Sequence, residues 1–355
     1  RMTPPAASPR ADAWASNATL DEIAAALRAT PRIAVLTHAK PDGDAIGSTL
    51  AVSRALATLG IEALPVYTGV WSPRFDPVIA GTRVIHEKHG DFKHPPLADI
   101  EHALILDTGS WNQLADCRAW LEPRTSTAIV IDHHAHGDPG VAARRYIDTK
   151  AAAACQIAAA LCARLLGVPE SRLPREVAEP LMLGLATDTG WFRHSSTTAA
   201  VLRLAADLVE AGARHNWLYQ TVEQGDEASR LKVIARALAS LEFVAHDRAV
   251  VVTVTQRDLK ETGGTLDDTG GLTDLPQTVA SVRVAASVVE LEPALTKVSF
   301  RSKAAGAPGE IDVDVNKLAQ TLGGGGHRHA AGAKIHLPLS EAMKIVRAAL
   351  TEALK

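Results

Sequence analysis

Two runs in this chain, "LILD" at 104–107 and "IVID" at 129–132, are apolar at every position until they close on an aspartate. A strand with one wet face alternates between apolar and polar residues. A run without alternation has both faces covered, as in a parallel sheet between two layers of helices. Residues 32–36 and the stretch beginning "ALPVY" at 63 have the same character. "AIGSTLAVSRALATLG" (45–60), "AAAACQIAAALCARLLG" (151–167), "LPREVAEPLMLGLATDTG" (173–190) and "TTAAVLRLAADLVEAGA" (197–213) read as helices. Strand and helix therefore alternate, and the first part of the chain is expected to be an α/β domain with a parallel sheet and helices on both faces.

The pattern changes after Ala245. "RAVVVTVT", "SVRVAASVVE" and "LTKVSFRS" are β-type runs with partial alternation, "DVNKLAQTLGGGGH" is a helix running into four glycines, and "HAAGAKIHL" leads into another strand. With 355 residues, 46% hydrophobic and 22% charged, the chain can build two cores. The reading divides it into a flexible N-terminal segment (1–16, rich in Pro, Ala and Ser), a first domain (17–213), a helical linker (214–240) and a smaller α/β domain with a mixed sheet (241–355).

The aspartates that end the apolar runs also raise a question of charge. "HAKPDGDAIGS" (38–48) puts His38, Asp42 and Asp44 after a buried strand, where a turn needs only Pro-Asp-Gly. Asp107 and Asp132 end two further runs, "DHHAH" adds His133, His134 and His136, and "ATDTGWFRH" adds Asp188 and Arg193. Taken singly, each aspartate could be a helix cap and "DHH" a solvated turn. Gathered at the carboxyl edge of one sheet, where open parallel sheets bind ligands, the carboxylates would repel and raise one another's pKa. Divalent cations remove that cost. Oxygen ligands with one or two imidazoles suit Mn(II), with Mg(II), Co(II) or Zn(II) as alternatives. Two cations roughly 3.5–4 Å apart could activate a water and clamp a phosphoryl group.

A second set of residues points to an anion. "KVSFRSK" places Lys297, Ser299, Arg301 and Lys303 on one face of a strand. "GGGGHRHAAG" supplies Gly323, Gly324, Gly325 and Gly326, whose amides could meet an anion, with His327, Arg328 and His329 beside them. A solvated sheet face and an ordinary helix C-cap are the plainer readings. Trp191 and Phe192 could stack a base or belong to the core. A net charge of -3 argues against the broad basic surface that long nucleic acid requires, while leaving room for a small anionic ligand on a local basic cluster. Three cysteines give no disulfide framework, and no stretch reads as a membrane span or signal-peptide core, so a cytoplasmic protein is expected.

In this order, "HAKPDGD", "LILD", "DHH", "ATDTGWFR", "VSFRS" and "GGGGHRHAAG" resemble the DHH–DHHA1 phosphoesterase family, and within it the bacterial nano-RNases, over roughly residues 20–350. The resemblance implies a two-metal enzyme that hydrolyses very short oligoribonucleotides to nucleoside 5'-monophosphates and removes the 3'-phosphate of pAp. It implies His38 and Asp42 as ligands of one metal, Asp44 and His133 as ligands of the other, and Asp107 and Asp188 as residues touching both. His134 would face the phosphate, Asp132 would orient the histidine pair, and Arg193 would contact phosphate from the first domain. Arg301, His327 and the glycines 323–326, with Ser299 and Arg328 beside them, would hold the nucleotide from the DHHA1 domain. One departure lies in "AAAACQ": many relatives carry a small hydroxyl residue where this chain has Ala153, Ala154 and Cys155. The expected partners are short RNA oligonucleotides and small phosphorylated nucleotides, with a homodimer left open and neither long duplexes nor membranes involved. The alternatives are a phosphodiesterase for cyclic or linear di-adenylate signals and a nucleotide-sensing module without catalysis.

Overall fold

The computed structural model describes residues 13–87, 92, 95–306 and 310–355. It falls into two units, 1–225 and 226–355. Of the segment expected to be flexible, residues 1–12 lie outside the described residues, whereas Ser16 hydrogen-bonds with the backbone of Ile147.

The first unit opens with α1 (Leu20–Arg28), whose start is fixed by a capping box between Thr19 and Glu22. Then follow β1 (Arg32–Leu36), α2 (Gly43–Thr58), β2 (Glu62–Thr68), the one-turn α3 (Asp76–Ile79), β3 (Ile85–Glu87), the one-turn α4 (Pro95–Ala98) and β4 (Ala103–Leu106). The one-turn α5 (Arg118–Leu121), β5 (Ile129–Asp132), β6 (Arg144–Ile147), α6 (Ala154–Leu166), α7 (Arg175–Asp188), α8 (Ala199–Glu210) and α9 (His215–Glu223) complete it. The strands form one sheet in the order β3-β2-β1-β4-β5-β6, parallel throughout. Its apolar runs serve two cores at once. Ile33, Val35, Leu104, Leu106, Ile129 and Ile131 face one, and Ala34, Leu36, Ala103, Ile105 and Val130 face the other. This is why those runs do not alternate.

α2 and α7 cross without side-chain spacing. A Cβ on Gly43 would come 2.3 Å from Thr187 Oγ1, and one on Gly47 2.3 Å from the carbonyl oxygen of Pro180. Pro180 lies inside α7 and cannot donate to the Glu176 carbonyl; Arg54 Nη1 of α2 donates to that oxygen instead, at 3.0 Å.

The second unit contains α10 (Ala228–Ala239), β7 (Glu242–Val244), β8 (Ala249–Val254), α11 (Gln256–Thr262), β9 (Val284–Glu292), β10 (Leu295–Ser302), α12 (Val315–Thr321), β11 (Gly325–His327), β12 (Ala330–Ile335) and α13 (Leu339–Ala353). Its sheet runs β11-β12-β10-β9-β8-β7, with β8 and β9 parallel and the other pairs antiparallel. Val298 and Phe300 of β10 are buried in its core, while Lys297 and Arg301 are exposed, so the alternation read in "KVSFRS" is present. The helical stretch 214–240 is shared: α9 belongs to the first unit and α10 to the second. Among the described residues, no helix is long and apolar enough to cross a membrane.

Candidate metal and phosphate site

β1 lies between β2 and β4, so the connections leaving the carboxyl ends of β1 and β4 diverge and open a crevice there. His38 follows β1. Asp42 caps α2, accepting the amides of Asp44 and Ala45 at 3.0 and 3.1 Å. Asp107 follows β4, His133 and His134 follow β5, and Asp188 is the last residue of α7.

These side chains form interlocking groups whose ligand atoms lie within 4.8 Å of one another: His38, Asp42 and Asp107; Asp44, His133 and Asp188; and Asp107, Asp132, His133 and His134. Asp107 is common to the first and last. Its Oδ2 is 3.4 Å from His38 Nε2, and its Oδ1 is 3.3 Å from His133 Nε2. His133 Nε2 is also 3.6 Å from Asp188 and 3.8 Å from Asp44. Asp107 has a left-handed backbone, φ 64°, an unfavourable state for a residue with a Cβ and one that recurs at functional sites.

The donor set fits divalent cations. Asp107 Oδ1 is buried without a hydrogen-bond partner, which a cation would supply. The Nδ1 atoms of His38 and His133 lie 3.0 and 3.3 Å from the carbonyl oxygens of Ala39 and Ala151. Donation to those oxygens leaves each Nε2 with a lone pair directed at the carboxylates.

Without a cation, protons take its part. Burial disfavours charge on His38, but the bonds and charges of Asp107 and Asp42 prevail and push it up to about 11. His133 is likewise pushed up to about 10 against its burial, chiefly by Asp107. Burial and then the Asp107 charge raise Asp188 to about 6, and burial with Asp107 and Asp188 raises Asp44 well above the usual carboxylate range. For Asp107 burial acts upward, yet the two histidines hold it down at about 2. Crowded carboxylates do raise one another here, as the sequence led us to expect.

Asp132 organises the histidine pair. Its Oδ1 accepts the amides of His133 and His134 at 2.7 and 3.2 Å and lies 2.7 Å from His134 Nδ1, the contact that raises the His134 pKa. Asp44 meets the "AAAACQ" segment. The N-cap of α6, Ala153, has no capping side chain, and the carboxylate of Asp44 accepts the amides of Ala154 and Cys155 at 2.5 and 2.8 Å. The hydroxyl missing from this chain is therefore not needed to cap the helix.

Arg193 is exposed, and its Nε donates to Gly190 O at 2.7 Å. Gly190, Trp191 and Phe192 before it are all left-handed, φ 56–66°. Trp191 leans on the first core, donates to Glu223 at 3.0 Å and meets Tyr219 edge-on, 4.8 Å between ring centres. It is anchored in the fold, and Phe192 packs against the same core.

In the second unit Arg301 is exposed and Ser299 half-buried, while Arg328 is paired with Asp312 at 2.6 Å and Lys303 Nζ donates to the Val279 carbonyl at 2.7 Å. The side chain of His327 lies outside the described residues. The glycines differ from the expectation of open amides. Gly323 has φ 76° after α12; Gly324 and Gly326 sit against β12, where a Cβ would come 2.1 and 2.5 Å from carbonyl oxygens. The amides of Gly323, Gly324 and Gly326 are bonded to Gln320 O, Ala319 O and Asn316 Oδ1. A tight hairpin against β12 uses both the missing side chains and the donors.

Sequence reasoning missed Trp14, Gly109, Gly137 and Asp138, which meet beside His134. Their proximity is long-range, and no local pattern announces it.

The DHH family, N-terminal domain, matches residues 32–185. The bifunctional oligoribonuclease and PAP phosphatase NrnA of Thermus thermophilus is 33% identical over 325 residues, 91% of this chain and 90% of its own length. The protein of the same name from Bacillus subtilis is 26% identical over 84% of this chain and 88% of its own. Among solved structures, an exopolyphosphatase-related protein from Bacteroides fragilis shares the fold, with a TM-score of 0.84, 19% identity and coverage of 94% of this chain and 95% of its own.

Proposed function

The chain belongs to the DHH family, and on that footing we propose that it hydrolyses very short oligoribonucleotides to nucleoside 5'-monophosphates and removes the 3'-phosphate of pAp. The activities named for the Thermus and Bacillus relatives support this reading. The observation that carries it is Asp107, whose two oxygens face two different imidazoles, His38 and His133, and so join two ligand groups into one centre.

His38, Asp42 and Asp107 would hold one cation; Asp44, His133 and Asp188, with Asp107 between, would hold the other. Bound there, two divalent cations supply Lewis acidity and lower the pKa of a water, with Mn(II) best suited to this donor mix and Mg(II) or Co(II) as alternatives. His134 donates Nδ1–H to Asp132 and keeps Nε2 for the substrate. Its raised pKa favours the imidazolium, which can donate to a phosphoryl oxygen or pass a proton to the leaving oxygen. Arg193 would bind a phosphate from the first unit. Arg301, Ser299, Arg328 and His327 would take the non-reacting part of the nucleotide. Residues 17–213 would then be the catalytic domain and 241–355 the substrate-binding domain, joined through 214–240. Three buried free cysteines suit a reducing compartment such as the cytoplasm.

The test offers purified protein, with Mn(II) or after EDTA, a diadenylate, two- to ten-residue RNAs, pAp, cyclic di-AMP and cyclic di-GMP side by side. Mononucleotide from the short RNAs and AMP from pAp, both abolished by EDTA, are expected. Faster turnover of cyclic di-AMP than of any other substrate would install the signalling phosphodiesterase in its place. Nucleotide binding with no turnover at all would leave a sensor.

A further inference from the structure

We propose that Trp14 is a positioning residue for His134, holding the backbone that carries this histidine in place. The inference rests on the phosphoesterase reading above. Trp14 reaches the site just before a short stretch hydrogen-bonded to β6. Ser16 bonds with both the amide and the carbonyl of Ile147, at 2.7 and 3.0 Å. Asn17 accepts the Arg145 amide at 2.7 Å, and its own amide donates to Arg145 O at 2.9 Å.

From there the indole lies over two loops at once. A Cβ on Gly109 would come within 1.7 Å of the ring, and one on Gly137 within 2.5 Å. Neither glycine has a positive φ, so neither lacks a side chain for the sake of its backbone conformation. The room they leave is taken by Trp14. Gly109 stands two residues after Asp107, and Gly137 three after His134. The same loops are tied to each other: the Asp138 amide donates to Gly109 O at 2.8 Å, and Asp138 Oδ2 accepts the Trp111 amide at 2.7 Å.

The indole N–H is a donor only. It donates to the carbonyl of His134 at 3.0 Å. His134 is then held at its amide and its ring Nδ1 by Asp132, and at its carbonyl by Trp14. Asp132 alone would leave the peptide after His134 unrestrained, and with it the direction of Nε2. A proton-transfer or phosphate-facing group must be held to a few tenths of an ångström to work, so the carbonyl bond bears on turnover rather than on binding.

Trp14→Phe keeps an aromatic ring but removes the N–H donor together with the outer part of the indole that fills the slot. Gly137→Ala leaves Trp14 intact and pushes its ring out of the slot. In the full chain, kcat and KM for a diadenylate, Mn(II) binding and thermal melts are measured for both variants and the parent. We expect kcat to fall about tenfold in each variant, the loss of one hydrogen bond of ordinary strength, with KM changed by less than about twofold. Mn(II) stoichiometry and affinity should match the parent. Unchanged kcat in Trp14→Phe overturns the proposal. So does a loss that excess Mn(II) restores, because the indole would then serve the metal ligands instead. A lowered melting temperature with normal kcat overturns it as well, since the tryptophan would only fasten the N-terminal segment. A parent protein that releases no mononucleotide from the diadenylate defeats the functional reading itself; an active parent with an indifferent Trp14→Phe defeats only the role of Trp14.

Discussion

The carboxylate of Asp44, on α2, accepts the backbone amide of Cys155 in the first turn of α6 at 2.8 Å, and so caps a helix other than its own. The same carboxylate has an oxygen 3.8 Å from His133 Nε2. One residue therefore fixes a helix end and faces the cation site, and the two roles respond differently to substitution. Asp44→Asn keeps a carbonyl oxygen for one amide and relieves the repulsion from Asp107 and Asp188. These effects oppose each other, so the chelator-treated variant should melt within about 3 °C of the parent. Added Mn(II) should raise the parent's melting temperature and raise that of the variant much less. Equal increases would remove Asp44 from the ligand set.

The metal-free protein should become less stable as pH rises. His38 and His133 have folded pKa values raised to about 11 and about 10 from an ordinary 6.5. Asp188 is raised from 3.8 to about 6. In all three the folded chain binds protons that the unfolded chain has released, so the stability they confer is present at low pH and lost as pH rises. The Asp188 part is lost between 3.8 and about 6, and the histidine part from 6.5 upward toward 10–11. Asp107, lowered to about 2, works in the opposite sense but only below 3.8. Melts of EDTA-treated protein from pH 6 to 9 should fall steadily, and Mn(II) should flatten the slope by replacing the protons. A stripped protein whose melting temperature rises over that range would contradict the proton bookkeeping.

The two adjacent histidines should separate chemistry from loading. His133 Nε2 faces Asp107, Asp188 and Asp44, whereas the His134 ring is bonded through Nδ1 to Asp132 and is half exposed. His134→Ala should keep its metal while kcat falls by about 10²-fold or more, the usual loss for a proton-transfer or charge-stabilising group. His133→Ala should lose a metal equivalent. Metal analysis beside steady-state rates decides the matter, and the reverse pattern would exchange the two roles.

Arg301 should matter only for substrates that extend beyond the reacting phosphate. It is exposed on β10, and among the described residues it has no ion-pair partner, in contrast to Arg328 on Asp312. Its planar fork can take a phosphate in a bidentate way. Arg301→Ala should leave melting and metal content unchanged and lower kcat/KM for a dinucleotide at least about tenfold, with little effect on an artificial aryl phosphate monoester. Equal losses on both substrates would deny Arg301 the part of a remote anchor, and no loss on either would make its strand face plain solvated surface.

What could be read from the sequence depended on the range of the contacts involved. The buried strands were legible because double-sided burial suppresses alternation over 104–107 and 129–132, and each such run ends in a residue of the site. The basic alternation of "KVSFRS" was legible for the same local reason. The short edge strands β3, β6, β7 and β11 were not, because edge strands of three or four residues are held by their neighbours rather than by their own pattern. α1 and α13 also went unread, although both are amphipathic. The four glycines were misjudged through context: a run that seems too costly for a cap is explained once β12 lies against Gly324 and Gly326. Trp14 was lost in a Pro- and Ala-rich start whose composition suggested looseness, since its partners Gly109, Gly137 and His134 are far along the chain.

The ligand groups begin at His38 and close only with Asp188 at the end of α7, the side chains arriving in batches: after β1, after β4, after β5 and at the end of α7. A chain emerging from the ribosome thus displays His38, Asp42 and Asp44 long before their counterparts exist. Until α7 has been made and has settled across α2, the group of Asp44, His133 and Asp188 lacks its last ligand, whereas His38, Asp42 and Asp107 have all been made once β4 is complete. Loading of the full centre must follow synthesis of α7, and a truncated product ending before Asp188 would be left with an incomplete centre rather than a slow one.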